Sequence, residues 1–429
     1  VAESGNPVSL LRNTEFAALA GTAFARAQAY STILIALALY ADAFGTTGVV
    51  EGLWVTGFAV VQAFIVLPLG RAVDTGNAKR WLLAGLLINV VVFVAFAFVS
   101  NPVEVLLVRV VQGLGASILW ITGSTVVGEI ATTGARGRWL GVYNQVGATS
   151  SFLGDLVGGY LLYAYGFPYT YAFLALVTVA ATVLVLVALR NNPGGQADED
   201  ERTGVETLVG LLDIPMVRAL VAFRTAFSVG KMSIIIFLPI YARTRFGVGA
   251  FAIGAIHGGG KLAKAVLQGY MGDLTDRIGK KHYFVLVGAL LYGAGIAMVP
   301  LAPHAQRAFE AVTVGGLGFA YTVTPAVATL FTAYLVLGVA DSIRLPASMA
   351  LFVTEGERLD SPASAMSLRS ISWKVGQVAG PLSVGLIKDV FGPTTAFLTA
   401  AAFIAASAGV FLVVRARTPM PEARPQPGD

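Results

Sequence analysis

Ionisable side chains interrupt several long apolar runs of this chain, in places where a charge is costly. Arg26, Arg109, Arg224, Lys231, Lys261, Lys264, Arg344, Arg369 and Lys374 are the cations of this kind, and Asp155 and Asp341 are the carboxylates. Charges inside apolar helices face protein, one another or water-filled space rather than lipid. Several lie on helical stripes: Arg109, Gln112, Ala116 and Trp120; Arg224, Ser228 and Lys231; His257, Lys261, Lys264 and Gln268; Lys374 and Gln377. In the second half the cations face a single carboxylate, Asp341, so ion pairing alone leaves positive charge over. Snorkelling of Arg369 and Lys264 to an interface reduces that excess without removing it. The chemistry this allows is electrostatic capture of a small organic anion or a phosphate-bearing headgroup. The candidate binding residues are Arg26, Tyr30, Arg109, Gln112, Arg224, Lys231, Lys261, Lys264, Arg344 and Lys374. For Asp155 two roles stay open, an ion pair with Arg109 or Arg26 and carriage of a proton. A lone His257 could titrate near neutrality, although a satisfied buried histidine is the commoner case.

The elements that position these residues follow from composition. Of 429 residues 56% are hydrophobic and 12% charged, with a mean hydropathy of +0.75. Soluble domains carry about 25% charged residues, so lipid is the main solvent here. The net charge of +5 is spread over loop ends and forms no single patch, which argues against nucleic acid. The chain has no cysteine, which excludes disulfides and thiolate metal sites. No phosphate loop, zinc spacing or catalytic triad is present, so neither an enzyme, a metal nor a cofactor is expected. Gly258-Gly259-Gly260-Lys261 lies inside an apolar run, not after a soluble strand.

Runs of about 20 apolar residues suffice to cross a bilayer. Twelve spans are expected, near 16–40, 50–70, 81–100, 103–127, 138–163, 169–190, 215–241, 249–271, 282–301, 328–353, 365–388 and 394–415. Arg12, Arg71, Lys79, Arg80, Arg136, Arg138, Arg190, Arg202, Arg277, Lys280, Lys281, Arg358, Arg415 and Arg417 fall on one side of these spans. The positive-inside rule makes that side, with both termini, cytoplasmic. The expected division is a bundle over 1–190, a linker over 191–212 with the acidic run Asp198–Glu201, a second bundle over 213–418 and a tail over 419–429.

The halves repeat one another. Gly272-x-x-x-Asp276-Arg277-x-Gly279-Lys280-Lys281 follows a degenerate copy, Gly70 to Arg80, with Asp74 at the place of Asp276. Glycines there would allow a tight reversal, and the cations would stay at the anionic cytoplasmic surface. Gly154 to Gly166 corresponds to Gly380 to Gly392, at a larger offset, so an apolar, glycine-rich insertion falls near 303–326. It is expected to be an interfacial excursion or hairpin. Arg109-Val-Val-Gln112-Gly113-Leu-Gly115-Ala116 and Gly154-Asp155-Leu-Val-Gly158-Gly159 complete the motifs.

Together these motifs resemble those of the major facilitator superfamily over residues 10–418. The resemblance implies an all-α membrane protein with twelve transmembrane helices in two pseudo-symmetric six-helix bundles, which rock about a midplane site. It implies that Gly70, Asp74, Gly272, Asp276, Arg277, Gly279 and Lys280 form a conformational gate. It also implies that Arg109, with the carboxylates Asp155 and Asp341, serves proton coupling. Arg26 and Lys231 resemble the paired cations of organophosphate and organic-anion members. The span 5 motif is similar to that of drug antiporters, with Asp155 standing where those have proline. The leading expectation is a monomeric, proton-coupled secondary transporter in the plasma membrane, working by alternating access on a small organic anion or amphipathic acid. The alternatives are multidrug efflux by proton antiport and a non-transporting receptor or assembly protein on the same fold.

Overall fold

In hydrocarbon every backbone N–H and C=O must be satisfied within its own segment, which favours helices. The computed structural model describes residues 7–132, 135–192, 205–316, 319–357 and 362–417. The first half contains α1 (Thr14–Phe44), α2 (Gly48–Thr75), α3 (Ala78–Ala97), α4 (Pro102–Ile130), α5 (Arg136–Ala164) and α6 (Gly166–Ala188). A two-turn α7 (Val205–Leu212) lies inside the segment expected to be linker; the acidic run lies outside the described residues. The second half contains α8 (Pro215–Phe246), α9 (Ala250–Ile278), α10 (Lys281–Met298), α12 (Pro325–Glu357) and α13 (Pro362–Arg417). Between α10 and α12 the insertion folds as a short α11 (Ala302–Ala308) and an antiparallel hairpin, β1 (Val312–Gly316) with β2 (Phe319–Val323).

Local sequence sets the ends of these helices. The Asn13 side chain accepts the Phe16 N–H at 3.0 Å and starts α1. Asn101 accepts the N–H groups of Val103 and Glu104 ahead of Pro102, which opens α4. Left-handed glycines stop α1 and α8, Gly45 at φ 59° and Gly247 at φ 64°. Gly392, at φ 85°, breaks α13 into two stretches. Nine described helices are long and apolar enough to cross a membrane, with α13 counted once. The 29-residue α5 and α9 are equally long but more polar.

One correction concerns the repeated motif. Gly272 to Ile278 is not a loop but the last turns of α9, and Gly70 to Asp74 is likewise inside α2. The reversal falls on Gly279 alone, at φ 71°.

The two halves meet along α5 with α9, α2 with α13 and α1 with α8. Glycine makes this closeness possible. A Cβ on Gly254 would collide with the Asp155 carbonyl oxygen, and one on Gly52 with that of Pro381. One apolar core runs through both halves, joining Ile33–Ala41 and Trp54 to Phe223–Ala242 and Phe397. A second core, including Phe16, Leu82, Val126 and Trp139, belongs to the first half alone. In the first half the shared core lies toward the loop at 45–48, which with 247–249 marks the side termed here the loop face; the other is the terminal face. In the second half it runs along α8 from Met216 to Ala242. Along α9 the side chains are mostly buried up to Gly260 and mostly half-buried or exposed beyond it. Along α5 the change runs the other way, with exposed positions before Ser150 and closer packing after it. The halves are therefore joined at the loop face and part toward the terminal face.

Gly380 faces the Val229 backbone, where a Cβ would come within 2.8 Å of Val229 Cα. Gly380→Val is expected to destabilise the second half by about 1–3 kcal/mol, read as a lower unfolding temperature in detergent; an unchanged transition would contradict this packing.

Candidate functional site

Buried charge organises the space between the halves. On α12 the Asp341 carboxylate binds three cations from three helices: Lys231 on α8 at 2.6 Å, Lys264 on α9 at 2.8 Å and Arg344 at 2.7 Å. Asp341 and Arg344 are almost wholly buried. Arg344 also lies over the Phe227 ring at 3.6 Å, which leaves its Nε and Nη1 without hydrogen-bond partners. Arg224, one and two turns before Ser228 and Lys231, stacks on Trp373 at 4.7 Å, and its Nε is unpartnered. Lys231 lies near Tyr292 and the same Trp373. Lys264 does not snorkel to the interface, as sequence reasoning expects, because Asp341 is within reach.

A second cluster joins the halves. Asp155 on α5 pairs with Lys261 on α9 at 2.6 Å, not with Arg109 or Arg26 as the sequence alone allows. The Lys261 ammonium also donates to the hydroxyls of Ser31 and Ser151, both at 2.8 Å. His257 Nδ1 is 3.9 Å from Asp155 Oδ1, and the imidazole stacks on Tyr334. Lys374 on α13 makes a comparable crossing, donating to Gln62 on α2 and to Gln377 at 3.2 Å. Its partners are neutral amides, so its charge is solvated but not cancelled.

In the first half a cavity of about 230 Å³ is lined by Arg26, Tyr30, Trp120, Tyr143, Asn144 and Ser151, among others. Arg26 stacks on Trp120 at 4.6 Å, and its Nε is unpartnered. Arg109 and Gln112 do meet, at 2.6 Å. They are sealed between α2 and α4, where Arg109 donates to the Trp54 carbonyl and covers Phe58, so they stand behind the cavity wall.

At the loop face the halves are latched. Asp389 accepts the backbone N–H groups of Gly48 and Val49, Lys388 pairs with buried Glu51, and Arg243 pairs with Asp42 at 2.8 Å. Sequence reasoning missed this latch because its members lie hundreds of residues apart without a shared motif. Ser31, Ser151, Gln62 and Trp373 were missed for the same reason; an ordinary serine carries no signal until its partner is known. At the terminal face Arg277 pairs with Asp273, Asp276 and Lys280 are exposed, and the Asp74 side chain lies outside the described residues. The residues of this expected gate are thus not brought together with the binding candidates.

The pattern matches known proteins over nearly its whole length. The family model for the Major Facilitator Superfamily matches residues 19–329 and 262–429. The chain belongs to the major facilitator superfamily. It is 25% identical to the multidrug resistance protein MdtG of Rahnella sp., covering 94% of this chain and 93% of that one. It is 20% identical to the MFS-type transporter MJ1560 of Methanocaldococcus jannaschii, covering 86% and 89%. Solved structures share the fold. A point mutant of the nucleoside transporter NupG aligns at a TM-score of 0.74, with 13% identity and coverage of 93% and 99%. A bacterial homologue of the human lysosomal transporter Spinster, inward-facing and occupied, aligns at 0.72, with 13% identity and coverage of 96% and 98%. This is an all-α, multi-pass membrane transporter of the superfamily and not an enzyme.

Removing one member of a buried ion cluster leaves the others uncompensated, at about 3–5 kcal/mol. Asp341→Asn is expected to lower stability by that order, and adding Lys231→Met to recover part of it. Thermal unfolding of the three proteins checks this, and equal stability of Asp341→Asn and the parent would contradict it.

Proposed function

We propose that the chain is a proton-coupled secondary transporter for a small organic anion or amphipathic acid, working as a monomer by alternating access between bundles 1–190 and 213–418. One observation carries the reading. Arg26, Arg224, Lys231, Lys261, Lys264, Arg344, Arg369 and Lys374 are set against the carboxylates Asp155 and Asp341 among the described helices, with Arg109 behind the wall. Three cations share Asp341 and one holds Asp155, while Arg26 and Arg224 rest on tryptophan faces. Cation–π contact offsets only part of the cost of a buried charge. An anion entering this space gains from every uncancelled cation at once, whereas a cation is repelled.

The wider terminal face is then the cytoplasmic side of the plasma membrane, with both chain ends on it and twelve spans between, in an inward-open state. The loop-face latch holds that state, and Asp276 and Arg277, exposed at the end of α9 with Arg277 paired to Asp273, engage the opposite bundle when the terminal face closes. Asp155, Asp341 and Arg109 serve proton coupling in this scheme. The first two act through the lysines they hold and Arg109 through Gln112 in the wall.

The MdtG relatives favour a second reading, efflux of lipophilic compounds. A thermal-shift screen of the purified protein with organic anions, phosphorylated metabolites and lipophilic cations separates the two, because a ligand of the folded state raises its stability by mass action. Stabilisation by anions supports the first reading, and stabilisation by lipophilic cations alone overturns it. Arg26→Gln and Lys374→Gln should each weaken the stabilising anion by about 10- to 100-fold, as expected for loss of a charged hydrogen bond. Unchanged affinity in both would remove the cationic site.

The latch gives a conformational test. Lys388→Met leaves Glu51 buried without its cation and should shift the population toward opening of the loop face. The chain has no cysteine, so single cysteines at the loop face can report this directly. Accessibility equal to that of the parent background would contradict the latch.

A further inference from the structure

The Asp155–Lys261 pair differs in kind from the Asp341 cluster. Asp341 has three cations on three sides, and removing any one leaves two. Among the described residues Asp155 has one paired cation, and that one is shared: the same ammonium is bound by Ser31 on α1 and Ser151 on α5, whose hydroxyls are 2.6 Å from each other. Lys261 is 30% exposed while Asp155 is fully buried, so an arriving group reaches the lysine and not the carboxylate. Ser151 also lines the 230 Å³ cavity that holds Arg26, so one of the lysine's two hydroxyl partners stands on the wall of that cavity.

We propose that Lys261, Ser31 and Ser151 form a seat for the carboxylate or phosphate oxygens of the transported anion, and that Asp155 occupies this seat when no anion is bound. This rests on the anion-transport reading and specifies how proton and anion are linked within it. An ammonium and two hydroxyls are donors that suit a carboxylate, and Asp155 already holds the first of them as an ion pair. When the anion takes the seat, Asp155 loses the Lys261 cation it is paired with in a low-dielectric place and cannot stay ionised. Its oxygen accepts one proton from water at the terminal face. The anion brings one negative charge and the proton removes one, so the charge of the cluster is the same before and after. A monovalent anion and one proton therefore bind together, and each leaves when the other does.

The other groups facing Asp155 fit this exchange. His257 and Lys261 come from α9, Tyr334 stacks on His257 from α12, and Ser31 comes from α1. His257 Nδ1 lies 3.9 Å from Oδ1 and faces Asp155 in either protonation state. Because Lys261 belongs to the second half and Asp155, Ser31 and Ser151 to the first, the exchange takes place on the contact the bundles must loosen to alternate.

The test uses the purified full chain with acetate and with inorganic phosphate as probes, titrated calorimetrically in two buffers of different ionisation enthalpy. The parent should take up one proton per acetate bound. Asp155→Ala vacates the seat and should bind acetate at least tenfold more tightly with no proton uptake; Asp155→Asn, close in shape, should also bind without proton uptake. Lys261→Gln should lose acetate binding in either background. Binding by the parent without proton uptake, or acetate affinity unchanged by Asp155→Ala, would overturn the seat while leaving anion transport standing. No binding of either probe to the parent or to Asp155→Ala would overturn the seat as well. Stabilisation by lipophilic cations alone, in the screen above, would overturn the anion reading itself.

Discussion

The structure depends on a charge imbalance held away from water. An isolated charge at low dielectric costs several kcal/mol even after relaxation, and Asp341, tying α8, α9 and α12 together, offsets part of that cost for three cations at once. The remaining cations are accommodated by aromatic faces, amides and hydroxyls: Arg26 on Trp120, Arg224 on Trp373, Lys374 on Gln62. These arrangements tolerate a cation without cancelling it. A fold selected only for stability has no use for such a surplus, since apolar residues would fill the same volume at lower cost.

The mechanical parts follow from where close packing begins and stops. Glycines let α5 approach α9 and α2 approach α13 until backbone touches backbone, at Gly254 against Asp155 and Gly52 against Pro381. Lys388, Asp389 and Arg243 fasten that face, and the polar seats of Asp155–Lys261 and Gln62–Lys374 lie just beyond it. Past them α5 and α9 separate. The binding chemistry thus sits at the hinge line between joined and parted helices, where a bound group acts on both bundles.

Much of this was legible in the sequence. Hydropathy and the duplicated motif gave the helical fold, whereas Arg109 and Gln112, expected from their shared helical face to line the binding space, turn to each other inside the wall between α2 and α4. The motif at 272–281 marked the fold but misled locally: its glycines suggested a loop, whereas Gly272 is absorbed into α9 by the surrounding helix formers and only Gly279 turns the chain. The excess of cations could be counted from the residues. Their partners could not, because Asp155 choosing Lys261, and Asp341 gathering Lys264, depend on the angle between helices far apart in sequence. Serines, glutamines and the tryptophan faces gain meaning only from that geometry.

The central claim is that the cationic space carries an anion across the membrane. Counterflow in proteoliposomes tests it most directly, with a labelled small carboxylate exchanged against the same unlabelled anion inside. The predicted result is saturable exchange that is accelerated by an inward-directed proton gradient and lost in Lys261→Gln. Exchange absent for a broad panel of carboxylates and phosphates, together with saturable movement of lipophilic cations, would contradict it.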